Sequence, residues 1–189
     1  PIAWAEFSDG HLPVIVSLEA FSPFVPMNDF DSGLPVAVLV YYVENPANVP
    51  VHITLVGSLL NAVGYLGPEF LIDWAHPHFG GNLNEFLREA GLIGLRMTSN
   101  RYQPDDPRFG SMALVSPWRG DFTYLTHWAR QRWLHEDLNL FWTDLVADGL
   151  LDEDPHGVGP SPDGRTDTGS LGLCLELGPG ESAELPFIF

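Results

Sequence analysis

Lysine is absent from this chain. All eight basic residues are arginine, against 25 acidic ones, and the formal net charge over 189 residues is −17. Clustered positive charge is what displaces counterions from nucleic acid, so no nucleic-acid partner is expected. Docking on anionic lipid is disfavoured for the same reason. Cysteine is scarce as well. Cys174 stands alone, so no disulfide can close within the chain. In its apolar run, GSLGLCLEL, it reads as a buried structural thiol and not as a nucleophile. Long apolar runs are also missing: charge or proline interrupts each one before it could span a bilayer, and no transmembrane segment is expected. No signal peptide is readable, and a cytoplasmic setting is favoured. The chain opens on Pro1 and not on Met, so its true N-terminus is expected to be missing.

Several chemical signatures are missing too. No serine sits in G-x-S-x-G, so an α/β-hydrolase nucleophile has no support. No P-loop or dinucleotide glycine motif is present. The loop Asp163-Gly164-Arg165-Thr166-Asp167 offers two acids but not the EF-hand spacing, and reads as a solvated loop. His76-Pro77-His78 is the one close histidine pair. It lacks a third ligand at a recognised spacing, so it reads as surface-loop histidines. No metal and no cofactor are expected.

What is present is alternation. Hydrophobic residues make up 45% of the chain and charged residues 17%, a balance that can bury a core. The length suits one domain over 1–189. Alternating runs predict strands at 2–7 and 12–18 around Ser8-Asp9-Gly10, and at 36–43 and 51–60 around Asn45-Pro46-Ala47-Asn48. Further strands are expected at 92–97, 111–117, 122–127, 171–177 and 183–189. The pairs 36–43/51–60 and 171–177/183–189 read as hairpins. Two segments carry helical spacing. Asn82 to Ala90 places Leu83, Phe86 and Leu87 on one side, with Gly91 as a stop. Residues 138–151 lay Phe141, Trp142, Leu145 and Val146 on a sheet. The fold class is therefore mainly β: an antiparallel two-sheet β-sandwich with one or two inserted helices.

Residues 18–35 form an unusually long connection with Pro23, Pro26 and Pro35. Loops of this length are commonly functional, and its Phe and Pro content predicts an ordered one. Glu19 is expected to end a strand and fix this loop by accepting backbone N–H bonds. Asn28, Asp29, Asp31 and Ser32 are expected to cap turns through their own backbone. Among six tryptophans most should be core, with Trp142 buried in its helix. Trp74, in a Gly-, Pro- and His-rich loop, is the best candidate for an exposed sugar platform. Asp144 and Asp148 share a helix face, with Arg130 and Arg132 as the expected partners.

The run LEAFSPFVPMNDFDSGLPVAVLVYYVEN (18–45) closely resembles the N-terminal domain of glycoside hydrolase family 116, which includes non-lysosomal glucosylceramidases and bacterial β-glucosidases. Phe141-Trp142-Thr143-Asp144-Leu145, then Asp148-Gly149 and Leu151, resembles that family's W-x-D-[LF]-x-x-D-G-x-L helix. Residues 169–177, then Pro179-Gly180-Glu181, resemble its small-residue strand and final hairpin. The resemblance implies a β-sandwich, here expected to be truncated at both ends, packed on a larger (α/α)6 domain that carries both catalytic carboxylates. No catalytic residue is therefore expected here, and the isolated chain should be inactive. The implied partners are that catalytic domain and, through it, a β-glucoside or glucosylceramide substrate. Glu19, Asn28, Asp29, Asp31, Ser32 and Trp74 become the expected substrate or interdomain contacts. The alternative is a free-standing carbohydrate-binding or structural interaction sandwich.

Overall fold

A computed structural model describes residues 2–66, 76–130, 134–152 and 159–189. Ten strands form two antiparallel sheets. The larger runs in the order β1 (Ile2–Phe7), β2 (Ile15–Phe21), β3 (Val38–Glu44), β10 (Ser182–Ile188), β7 (Met112–Ser116), β6 (Leu92–Ser99), β5 (Asn82–Glu89). The smaller has β4 (Val51–Leu60), β9 (Thr168–Leu177) and β8 (Phe122–Leu125). Two helices complete the described elements, the single-turn α1 (Asp29–Ser32) and the longer α2 (Leu134–Asp148). The mainly β, two-sheet reading holds. Among the described residues no helix is long and apolar enough to cross a membrane.

The sheets face each other across a core of Val43, Leu95, Met97, Leu114, Leu171, Leu173, Leu185 and Phe187, all almost fully buried. On β6, β9 and β10 every second residue points into that core, Leu95 and Met97, Leu171 and Leu173, Leu185 and Phe187, as the pleat dictates. Helix α2 forms a third layer. Phe141 and Leu145 pack with Leu151 on Val56, Leu125 and Trp128, against the side of the small sheet away from the core. The Trp128 and Phe141 rings stack at 4.7 Å.

Three expectations of local structure fail, each for a physical reason. Asn82–Glu89 is a strand and not a helix. Its inward positions include Asn82 and Asn84, buried amides, so the alternation is hidden from a hydrophobic count. It joins β6 through Ala90 (φ 50°) and Gly91 (φ 83°), the two positive-φ residues of a tight hairpin turn. The two other expected hairpins do not form. β3 and β4 lie in different sheets, as do β9 and β10. One residue holds both crossings. The fully buried Asn45 amide donates to the carbonyls of Val49, Leu177 and Gly178 at 2.8–3.0 Å. Its backbone pairs with Glu181 and Gly180 at 2.9 Å. A buried amide whose donors are all used stabilises one chain path over its alternatives.

Candidate functional site

The margin formed by β1 and the strap of residues 22–37 is poorly covered. Every residue of β1 is exposed. As the edge strand it also leaves one row of backbone groups unpaired, and it carries no proline or lysine to block pairing. Trp4 is 72% exposed. The core packs against Val16, Tyr41 and Val43 at one end of these strands. At the other end Ala3, Ala20, Leu39, Ile2 and Phe21 line an open hollow of about 320 Å³.

The strap joins β2 to β3 and folds on itself. Ser32 Oγ accepts from Val25 N at 2.9 Å and donates to Val25 O at 3.0 Å. Asn28 caps α1: its Oδ1 accepts from Asp31 N at 3.1 Å, and its Nδ2 donates to the Asp31 carboxylate at 2.5 Å. Met27 sits at φ 64°, which turns its side chain outward. Phe24 is 67% exposed, Phe30 81%, and Met27 wholly exposed. The strap thus satisfies its polar groups internally and holds three large apolar side chains in water. Large apolar side chains held exposed on one short segment in this way point to a contact site.

Four of the six expected contact residues, Asn28, Asp29, Asp31 and Ser32, lie together on the strap. Asp29 is in the first turn of α1, and its carbonyl accepts from Gly33 N at 2.9 Å. Glu19 departs from expectation. It lies inside β2, paired with Trp4 and Val40, and does not open the loop. Its carboxylate accepts from the Trp4 indole N–H at 3.1 Å and so steadies that exposed ring. Trp74 lies outside the described residues. By register Glu6, Glu19, Glu44 and Glu184 share one face of the large sheet. That face is not a cleft that could close around a glycosidic bond, as a catalytic carboxyl pair requires.

Helix α2 carries a surface that sequence spacing did not separate from its core side. Leu138, Trp142 and Val146, four residues apart, form an exposed apolar stripe, with Trp142 at 52% and Val146 at 75%. Trp142 is therefore not core. The expected Arg130 partnership also differs. Arg130 grips Asp167 through Nε and Nη2 at 2.9 and 2.8 Å, while Arg132 lies outside the described residues. Asp144 and Asp148 instead accept from the backbone N–H groups of Asp152 and Leu150, closing the chain after α2.

A second loop group meets the β5 margin. Asn61 donates to Asn84 Oδ1 and Thr98 O, and Asn82 donates to Asn61 Oδ1 and Val63 O, all within 2.8–3.2 Å. Ser161 Oγ accepts from Asn82 N, and Thr166 donates to Asn61 O. His76 is buried here and is no surface residue; its ring lies 4.8 Å from that of His78. Thr166 and Asp167 are likewise buried, so two of the five residues in the loop read as solvated are structural. Among the described residues no three His, Cys, Asp or Glu side chains gather as a ligand set. Burial raises the Cys174 thiol, the unreactive direction, although a bond from Thr54 opposes it. Beside this group a cleft of about 320 Å³ opens between β5 and β8, lined by Asn84, Glu85, Phe86, Tyr124, Thr126 and Arg130.

The family profile described as beta-glucosidase 2, glycosyl-hydrolase family 116 N-term matches residues 1–189, the whole chain. The chain belongs to this family. No curated protein matches it. As a family 116 N-terminal domain, it combines a well-packed core with an uncovered strap and edge, and its acids are dispersed over an open sheet face.

Proposed function

We propose that residues 1–189 form a single non-catalytic sandwich that supports an (α/α)6 catalytic domain of the same polypeptide. In this reading the strap and β1 meet that domain and shape one wall of its β-glucoside or glucosylceramide cleft. One observation carries the reading: a family 116 N-terminal domain leaves β1 exposed on both faces beside a hydrogen-bonded strap with Phe24, Met27 and Phe30 outward. Water around such a surface is released when a second domain covers it. Charge adds a requirement. No Lys or Arg occurs before Arg88, while Glu6, Asp29 and Asp31 lie on these elements and Glu19 on the adjoining β2. The facing surface is therefore apolar with a basic rim. The exposed stripe on α2 is a second surface that the partner domain would cover.

The test is hydrolysis of an aryl β-glucoside by the purified 189-residue chain and by the full polypeptide. The expected result is turnover in the second alone. Turnover by the short chain, abolished by one carboxylate substitution within it, would overturn the reading. The β5–β8 cleft favours a second reading, carbohydrate binding by the sandwich itself. Phe86 and Tyr124, stacked at 4.4 Å, give that cleft an aromatic wall. Calorimetric titration with oligosaccharides, with loss of heat on Tyr124→Ala, would support it.

A further inference from the structure

We propose that the β5–β6 turn and the segment before β8 build a small oxyanion site, with Arg88 and Arg119 as its ligands. Arg96, Arg101, Arg108 and Arg130 each pair with a carboxylate, Glu85, Asp163, Asp106 and Asp167 in turn. Arg88 and Arg119 do not: among the described residues neither side chain has an ion pair or a hydrogen bond. In a chain with 25 acids and eight arginines, carboxylates are the plentiful partner. These two arginines nevertheless line the same hollow of about 110 Å³, with Gly91, Trp118, Gly120 and Phe122.

Local structure positions both side chains. The Arg88 guanidinium lies over the Phe122 ring, 5.1 Å from its centre, a cation–π arrangement that fixes the group while leaving its N–H edge available. Arg119 packs down onto the turn at Gly91. A Cβ at Gly91 would stand 2.6 Å from Arg119 Nη2, and φ there is +83°, so only glycine permits this approach. Trp118 forms the wall. Its indole N–H donates to Asp121 O at 2.9 Å, which turns the ring into place, and a Cβ at Gly120 would collide with that ring at 2.7 Å. Two planar donor forks and an aromatic wall around a hollow of this size suit one phosphate-, sulfate- or carboxylate-sized group. The nearest acids in sequence, Glu89 and Asp121, form no pair with either arginine. Bulk charge of −17 repels anions, so binding at this point must come from local convergence and not from general attraction.

The test is isothermal titration of the full polypeptide with inorganic phosphate, repeated with acetate, at constant ionic strength held by chloride. Saturable binding of phosphate, acetate or both is expected. Arg88→Gln or Arg119→Gln should each weaken it about tenfold, and the double variant should abolish it. Arg96→Gln, whose guanidinium is already paired with Glu85, should leave it unchanged, and thermal melting should confirm that all variants fold. Gly91→Ala should weaken binding with both arginines retained, because the added Cβ displaces the Arg119 guanidinium. No saturable binding of either anion, or equal affinity in the double variant, would overturn the proposal. Phosphate binding without acetate binding would assign the site to phosphoryl groups; the reverse would assign it to carboxylates.

Discussion

The strap and the Asn-rich loop group are both long connections at margins of the same sandwich, yet they use their residues in opposite ways. In the loop group the polar side chains are buried and bonded to one another and to the backbone, from Asn61 through Asn82 to Ser161. In the strap the polar side chains bond locally while the large apolar ones stand in water. The first arrangement serves this domain's own stability. The second adds little to it and, on the proposed function, serves a surface that another domain covers. A loop's hydrophobicity alone does not separate these roles; the direction in which its apolar groups point does.

The largest effect expected from this contrast is in the loop group. Asn82→Ala leaves Val63 O and Gly80 N without their side-chain partner and Asn61 Oδ1 with Val63 N alone. Unfolding by urea should show a loss of about 3 kcal/mol. In the strap, Phe24→Ser, Met27→Ser and Phe30→Ser together should change the stability of the sandwich by no more than about 1 kcal/mol. The same triple variant should lower the melting temperature of the full polypeptide, because the covered surface is lost. A fall as large as that from Asn82→Ala in the sandwich itself would erase the distinction. Next comes Asn28→Ala, which removes the α1 cap and should cost about 1 kcal/mol of local stability. Faster hydrogen exchange confined to the strap is the readout.

The smallest effect is a pH dependence. Side-chain and backbone hydrogen bonds with Arg108 hold the Asp106 carboxyl down at about 2, below its ordinary 3.8. A depressed carboxyl contributes stability above its unfolded value and loses it as pH falls towards 2. Wild-type protein should therefore lose slightly more stability between pH 4 and 2 than Asp106→Asn, followed by thermal melting. Equal slopes would mean that this pair contributes nothing measurable, as exposed pairs often do.

Much of the fold was legible from alternation. Strand 51–60 was placed to the residue, and most other strands to within a few positions. What alternation hid was set by buried amides. Asn82 and Asn84 occupy core-facing positions that a hydrophobic pattern counts as surface, so β5 read as a helix. Asn45 bonds across to residues 177 and 178, a contact more than 130 positions away, and so two apparent hairpins became sheet crossings. On α2, spacing gave the correct helix but merged two faces, because Phe141 and Trp142 are adjacent in sequence and point to different sides. The Asn28 cap was readable because an Asx turn is local, whereas the Ser32 hydroxyl bonds Val25, seven positions back, instead of capping a turn of its own. The Arg88–Arg119 convergence was not, since it depends on which arginines lack acids nearby.

The central claim is that the strap is covered in the full polypeptide. The direct measurement is oxidation by dilute hydrogen peroxide with peptide mass analysis, using the chain's own methionines. Met27 is wholly exposed in the sandwich and Met97 fully buried. In the full polypeptide Met27 should oxidise nearly as slowly as Met97, and both should speed up together on unfolding. Oxidation of Met27 at the rate of a methionine in an unfolded peptide, with Met97 still protected, would contradict the account.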